Sequence, residues 1–207
     1  SRWGWLTMSD SVEQGAISGA TLPTLLTHAV VHFGAALGLL CMFAACDSWS
    51  SLTGWAVALV LSVLTGFVAG FATTTVLHEW GHLLGAWVSG GRFDIPKHMS
   101  FFVYDWKFEE NTLRQFYTMS IAGSIGGVLS VLLLATSIVP DNPGRVAVVT
   151  GAVASFALGS IIEWPVLRRT LSSGQPLEEL AKTDKGVLIR ALMGSSAVAA
   201  LTFWWLS

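Results

Sequence analysis

The longest apolar run of the chain, residues 52–88, limits what the chain can fold into more than any other feature. It consists almost entirely of Ala, Val, Leu, Gly, Phe and Thr, and it is longer and more hydrophobic than a core helix of a soluble protein requires. As one helix its roughly 37 residues would extend about 55 Å, whereas the hydrocarbon core of a bilayer is about 30 Å thick. We therefore expect a membrane-spanning helix that tilts, protrudes or breaks, with Gly66 and Gly70 as candidate break points.

Four further apolar runs have the length of a membrane span. They cover residues 22–45, 117–139, 146–167 and 186–206. A polar stretch at residues 47–51 predicts a turn after the first run. The chain is 53% hydrophobic and 12% charged, with a mean hydropathy of +0.63, which excludes an ordinary soluble domain. The sequence therefore predicts an all-α polytopic membrane protein, with about five transmembrane helices in a single bundle over residues 1–207.

The polar segment between the second and third spans contains an alternation of apolar and polar residues at 100–108. Such alternation is typical of a strand with one buried face. We therefore expect a short hairpin or strand at the membrane interface. It could serve as an edge to which an unwound substrate adds, or as a plain interfacial anchor.

The basic residues are distributed unevenly between the two sides of a five-span bundle. Of the 11 Lys and Arg residues, all except Arg145 fall on the side of the N-terminus. Because Lys and Arg of short loops stay on the cytoplasmic side, we expect the N-terminus to face the cytoplasm, or the stroma or matrix of an organelle. The expected location is thus a bacterial inner membrane or an organellar membrane. Residues 1–20 lack the apolar segment of a secretory signal and begin without Met, from which we expect a processed or trimmed N-terminus.

The motif His78-Glu79-Trp80-Gly81-His82 places two imidazoles and a carboxylate near the end of the long apolar run. At helical spacing His78 and His82 project from one face, so both can bind one metal ion. Zn²⁺ held by such ligands leaves a position for water, whose pKa falls to about 7. Glu79 is then the candidate general base, which takes a proton from that water and delivers it to the leaving amine. The sequence therefore predicts a zinc-hydrolase site within the membrane, with another transition metal or no metal as the alternatives.

A third protein ligand is needed for such a site, and Glu163 is the best candidate. It lies in the fourth apolar run, a few residues from the same membrane face as the two histidines. A carboxylate at that depth is costly unless it is paired or coordinated, which favours a functional role. Asp184, in a polar loop, is a weaker candidate.

Two further histidines, His28 and His32, also lie four residues apart, in the first apolar run and at nearly the same depth as the motif. They could hydrogen-bond neighbouring helices, support the metal ligands from a second shell, or bind additional metal. Together with the two glutamates they could form a dinuclear centre or, less readily, hold a haem. We expect His98, in the polar loop, to be solvated.

Extended to Ala86, the motif has the form HExGHxxxA, which is specific to one family of membrane proteases. The chain thereby resembles the site-2 protease family of intramembrane zinc metalloproteases. The order of parts is also similar: a motif helix, a short interfacial sheet region, a second helix, and a third helix with the last ligand. The resemblance implies a family-like core over residues 52–169 and a zinc endopeptidase that cuts a membrane-embedded, single-span substrate near the cytoplasmic face.

The later motifs of that family differ here. Ser124 and Gly127 stand where the family often has the Pro and Asn of Gly-Pro-x-x-Asn, and its final Asp-Gly has no counterpart. If Ile162-Glu163 is aligned with the family's Leu-Asp, Glu163 replaces the ligating Asp. Two function classes stay open: an intramembrane zinc endopeptidase, and a non-proteolytic protein that is a structural or assembly subunit of a larger membrane complex or carries another His-ligated metal centre. The expected partners are membrane lipid and a single-span substrate or a larger complex, and no nucleic acid.

Overall fold

The computed structural model describes residues 22–98, 100 and 102–207, and this part of the chain forms a bundle of long helices. The five that are long and apolar enough to span a membrane are α1 (Leu22–Thr53), α2 (Ala56–Val88), α3 (Leu113–Ser137), α4 (Pro143–Ser173) and α6 (Lys185–Leu206); the short α5 (Pro176–Ala181) precedes the last. The prediction of an all-α polytopic membrane protein is therefore confirmed. The predicted cytoplasmic N-terminus lies outside the described residues.

The chain turns between α1 and α2 at Gly54, and not where the sequence predicted. α1 continues through residues 47–51, and Gly54 has a φ of 67°, in the left-handed region that glycine adopts without strain. Its N–H donates to the Ser50 carbonyl at 2.9 Å. The long apolar run is thus divided near its start. α2 then continues unbroken through Gly66 and Gly70, so the prediction that one of these two residues breaks the helix is wrong.

Gly66 and Gly70 instead allow the backbones of α2 and α4 to approach each other closely. A Cβ atom at Gly66 would lie 2.5 Å from the Gly144 carbonyl oxygen, and one at Gly70 would overlap the Val148 carbonyl. A glycine of α4, Gly151, approaches the α2 backbone in the same way. Because lipid provides no hydrophobic driving force between spans, helices in membranes associate through such close packing of small residues. These glycines therefore fix the contact of the two central helices.

Two hydroxyl pairs extend the contacts of α2 toward its C-terminal end. Thr75 Oγ1 lies 2.8 Å from Ser155 Oγ of α4, and Thr74 Oγ1 lies 2.9 Å from Ser130 Oγ of α3. α2 also packs on α1, and α4 packs on α6. Of the most apolar window of α4, 50% is buried in the bundle, against 11% for α1 and for α6. α4 is therefore central, whereas α1 and α6 are largely left to face lipid.

The charged residues at the end of the bundle opposite the histidine motif are paired. Arg145 of α4 donates from Nε to Asp47 Oδ2 of α1 at 3.0 Å, and from Nη1 to Asp141 at 3.0 Å. The other oxygen of Asp47 accepts from the Ser62 hydroxyl of α2 at 3.2 Å. A buried carboxylate such as Asp47 is costly in a membrane unless it is paired. This cluster therefore ties three helices together at one end of the bundle.

A two-stranded sheet follows α2 at the other end. β1 (Phe93–Asp94) pairs antiparallel with β2 (Asp105–Trp106), and Asp94 lies opposite Asp105. Lys107 Nζ is 2.7 Å from the Asp94 carboxylate and 3.4 Å from that of Asp105, which offsets the repulsion of like charges in register. The predicted interfacial strand is therefore present, but it is only two residues long and pairs with the segment directly after α2.

α5 is fixed against the C-terminal part of α4 by a buried carboxylate. Glu179 Oε2 accepts from Arg169 Nε at 2.9 Å, and its Oε1 accepts from Lys182 Nζ at 2.7 Å. The hydrogen bond from Lys182 lowers the pKa of Glu179 below its ordinary value; burial opposes this, and Arg169 lowers the pKa further. Glu179 therefore stays ionised and holds α5 in place at neutral pH.

We expect Gly70→Ala to destabilise the bundle by about 1–3 kcal/mol, because the added methyl group overlaps the α4 backbone and forces the two helices apart. The measurement is the thermal unfolding midpoint of the protein in detergent micelles. Gly34→Ala on α1 is the matched control, since a Cβ there meets no described atom within 4 Å and alanine favours the helix. Equal midpoints for the two variants would contradict the packing role of Gly70.

Candidate metal site and cavity

His78 and His82 lie one turn apart on α2, with their rings in direct contact. The ring centroids are 4.5 Å apart at an interplanar angle of 88°, and the two Nε2 atoms are 3.0 Å apart. Both side chains are buried. The arrangement follows from the sequence spacing, because residues four apart share one face of a helix. Two potential ligand atoms therefore meet at one point inside the bundle.

Glu163 of α4 reaches the same point. Its Oε1 lies 2.7 Å from His78 Nε2 and 3.2 Å from His82 Nε2. The carboxylate that the sequence singled out thus faces both imidazoles from a different helix. Its other oxygen, Oε2, is buried and has no hydrogen-bond partner among the described residues. Because an unpaired buried carboxylate oxygen is unfavourable, this environment favours a bound cation.

His82 is held in the tautomer that a metal ligand needs. Its Nδ1 lies 3.0 Å from the carbonyl oxygen of Met119 on α3. A carbonyl only accepts, so Nδ1 of the neutral ring carries the proton, and Nε2 presents its lone pair to His78 and Glu163. Histidines that bind metals commonly have the second ring nitrogen anchored in this way.

The donor set fits a transition-metal ion. The two Nε2 atoms and Glu163 Oε1 are separated by 2.7 to 3.2 Å. Neighbouring ligand atoms of a tetrahedral zinc site, with bonds of about 2.0–2.1 Å, are about 3.3 Å apart. His78, His82 and Glu79 also form a group whose potential ligand atoms all lie within 4.8 Å of one another. The motif can therefore hold a metal ion.

Glycines on α3 and α4 make room for the two imidazoles. A Cβ atom at Gly123 would overlap the His82 ring. Cβ atoms at Gly127 and Gly159 would lie 3.4 Å and 3.5 Å from the ring of His78. In the sequence these glycines are small residues at spacings that many packed helices share, so only the fold identifies the rings that they accommodate.

A cavity of about 570 Å³ extends from the metal site to the interfacial sheet. Glu79, His82 and Glu163 all line it, so the candidate general base and two of the three candidate ligands share one space. The wall is completed largely by apolar side chains from the sheet region and from α3, α4 and α5, among them Phe102, Trp106, Phe116, Val166 and Leu180. A largely apolar wall with a few convergent polar groups is typical of a binding site.

His28 and His32 of α1 are not part of the potential metal group within the described part of the chain. Trp80 Nε1 donates to His32 Nδ1 at 3.3 Å, and His32 Nε2 donates to the Ser100 carbonyl at 3.0 Å. His32 thus links α1 to the motif and to the cavity wall, from outside the ligand group. His28 Nδ1 donates to the Thr24 carbonyl at 2.9 Å, and its Nε2 is buried without a partner among the described residues. Binding of additional metal by these histidines stays a prediction.

The weaker ligand candidate, Asp184, has a different role in the structure. Its Oδ1 accepts from the Val187 N–H at 2.8 Å and so caps the N-terminus of α6. It does not line the cavity. His98 is exposed, as expected. The structure therefore brings Glu163, and not Asp184, to the two motif histidines.

Comparison of the chain with protein-family models, with curated proteins and with solved structures gives no match. The geometry of the site therefore carries the functional interpretation.

We expect the purified protein to bind about one zinc ion per chain, and His78→Ala and His82→Ala to lose it, because each removes one of the three candidate ligands. Glu163→Ala should weaken zinc binding more than about 100-fold, beyond what loss of an outer-shell partner causes. Elemental analysis and competition with a chromogenic chelator measure content and affinity. His98→Ala, at an exposed position, is the control and should bind zinc as the wild type does. Unchanged affinity in Glu163→Ala would remove Glu163 from the ligand set.

Proposed function

We propose that the protein is an intramembrane zinc metalloendopeptidase that hydrolyses a peptide bond of a membrane-embedded, single-span polypeptide near the cytoplasmic face. The observation that carries the proposal is the convergence of Glu163 from α4 on His78 and His82 from α2, in a cavity that Glu79 also lines. Structural carboxylates at this depth are rare, and one that faces two imidazoles is most simply explained as a ligand.

The zinc ion would be held by His78, His82 and Glu163. When bound, zinc supplies Lewis-acid polarisation of a carbonyl and lowers the pKa of a bound water. The Met119 carbonyl orients His82, and the glycines around the two rings leave the imidazoles room in this position. The chain therefore holds its ligand atoms together through helix packing.

Glu79 would move the proton. Its carboxylate lines the cavity next to the two histidines. It accepts one proton from the attacking water as the new C–O bond forms, and it delivers that proton to the amine nitrogen as the C–N bond breaks. The products are one carboxylic acid and one amine, so the reaction needs no further reactant.

The surroundings of the cavity support a polypeptide substrate that arrives from the membrane. The wall is mainly apolar, and β2 contributes Asp105 and Trp106 to it. A peptide bond inside a helix is shielded by its neighbours, so a spanning substrate must unwind locally before attack, and an extended segment can lie along a strand. With the N-terminus on the cytoplasmic, stromal or matrix side, the cavity opens toward that compartment of a bacterial inner membrane or an organellar membrane.

The resemblance to the site-2 protease family gives the same expectation, on the motif from His78 to Ala86. The departure at the last motif is a longer side chain, Glu163 in place of Asp. The approach of Glu163 to both imidazoles is compatible with this substitution, since the extra methylene does not carry the carboxylate past them.

We expect Glu79→Gln to abolish cleavage, by at least about 100-fold, while zinc stays bound, because the amide cannot accept the proton. The substrates are synthetic single-span peptides with a Leu/Ala core and one central Gly-Ser pair, reconstituted with the protein in liposomes, and mass spectrometry identifies the fragments. Glu109→Gln, on an exposed residue of the interfacial loop, is the matched control and should cleave like the wild type.

Cleavage that persists in the Glu79→Gln variant would contradict the role of Glu79. A wild-type protein that binds no zinc and cuts no peptide would favour a non-proteolytic subunit of a membrane complex instead.

A further inference from the structure

Two hydroxyl groups that line the cavity have only a sulfur atom as their hydrogen-bond acceptor among the described residues. The Tyr104 hydroxyl donates to Met119 Sδ at 2.9 Å, and the Ser120 hydroxyl is 3.9 Å from the same sulfur. A thioether is a weak acceptor, and most buried hydroxyl groups instead find an oxygen. Both hydroxyl groups can therefore be recruited by a better acceptor that enters the cavity.

Tyr104 lies close to the groups that would carry out the hydrolysis. It immediately precedes β2, its ring packs edge-on against Phe93 with centroids 6.1 Å apart, and it shares the cavity with Glu79 and Glu163. The residue that accepts its hydrogen bond, Met119, is the one whose carbonyl orients His82. The phenol is thus connected to the metal ligands through a single residue.

The Tyr104 phenol keeps its proton at physiological pH and can therefore donate a hydrogen bond. Burial raises its pKa well above the ordinary value, and the negative charges of Glu79 and Glu163 raise it further. The proton therefore stays on the oxygen.

The groups that line the cavity indicate the acceptor that this donor fits. Of the four carboxylates that line the cavity, Asp94 and Asp105 are paired with Lys107, whereas Glu79 and Glu163 lie at the ligand group. A neutral carbonyl oxygen suits a hydroxyl donor, and a polypeptide that has unwound to be cut presents backbone carbonyls that have lost their helical partners. We propose that the Tyr104 hydroxyl, with the Ser120 hydroxyl as a second donor, binds a backbone carbonyl oxygen of an extended apolar polypeptide in the cavity. The class of ligand rests on the proposed function.

Tyr104→Phe tests this in the full-length protein with Glu79→Gln as background, so that binding is measured without cleavage. The probe is a fluorescent single-span Leu/Ala peptide with a central Gly-Ser pair, titrated in nanodiscs. Loss of one neutral hydrogen bond should weaken binding roughly 5- to 10-fold. The only other tyrosine, Tyr117, donates to the Leu167 carbonyl at 3.4 Å and does not line the cavity, so Tyr117→Phe is the matched control and should bind as the background protein does.

Met119→Leu separates substrate binding from a structural role of the same hydroxyl. The substitution conserves volume and keeps the carbonyl that orients His82, but it removes the sulfur. If the phenol serves only to hold Met119, the Met119→Leu and Tyr104→Phe variants should lose affinity equally, and the proposal is overturned. A clearly larger loss in Tyr104→Phe supports it.

Direct contact is tested by replacing single peptide carbonyls of the probe with thiocarbonyls, whose sulfur is a poorer acceptor. At the contacted position the thioamide should weaken binding to the background protein and have little further effect on Tyr104→Phe, since the interaction is already lost. Additive losses at every position of the scan would overturn the proposal, as would failure of the probe to bind at all. Zinc content and cleavage by the wild type decide the proposed function separately, because the binding assay uses neither.

Discussion

The close contact between the backbones of α2 and α4 determines where every other part of the site lies. The two helices run parallel, and the contacts between them advance together: Gly66 meets Gly144, Gly70 meets Val148, and Thr75 meets Ser155. With that register fixed, the next turns bring His78 against Gly159 and then Glu163. Small residues leave the helices no freedom to slide, because a shift would drive side chains into the facing backbone.

Packing, and not attraction between the candidate ligands, holds the candidate metal site together. Two imidazole lone pairs and a carboxylate brought within about 3 Å do not attract one another unless a proton or a cation lies between them. The bundle keeps them there through contacts made elsewhere: the glycine register, the Met119 carbonyl on His82, and the hydroxyl pairs between helices. Such preorganisation spares the cost of assembling the ligands when an ion binds. The need for preorganisation also explains why the candidate metal-binding groups lie on rigid helices, whereas the cavity wall includes the loop and sheet region.

Much of the fold and part of the site follow from the sequence. The five spans are evident because apolar runs of about 20 residues match the thickness of the hydrocarbon core of a bilayer. The pairing of His78 with His82 follows from helical periodicity alone. Glu163 was predictable because an ionised side chain within a membrane span is energetically unfavourable unless it has a partner. The predicted position of the break in the long apolar run was wrong, because a glycine at which the chain turns and a glycine that packs against another helix look alike in sequence. Gly54 has a left-handed backbone conformation and nothing among the described residues packed against it, whereas Gly70 lies inside a helix against the α4 backbone.

The groups that the sequence did not reveal are those whose role depends on a distant neighbour. The Met119 carbonyl is a backbone atom, and backbone atoms carry no sequence signature. The sequence is compatible with several roles for His32. In the structure its ring lies between Trp80 and the Ser100 carbonyl. In the sequence, Tyr104 is one aromatic residue among several in an interfacial segment, and nothing distinguishes it from the others. Its acceptor lies on α3, 15 residues away, and no local pattern indicates a hydroxyl that lacks an oxygen partner.

The cavity that contains the titratable groups begins at the sheet and ends at the ligand group within the bundle. Beyond the ligands, toward the Asp47–Arg145 cluster, α2 and α4 leave no space for a methyl group at Gly70 and hence none for a file of water between them. Protons therefore have no path to the site along the contact between α2 and α4. A hydrated carboxylate inside a membrane would otherwise offer a conduit for protons down their electrochemical gradient. The close contact of α2 and α4 removes such a conduit between these two helices.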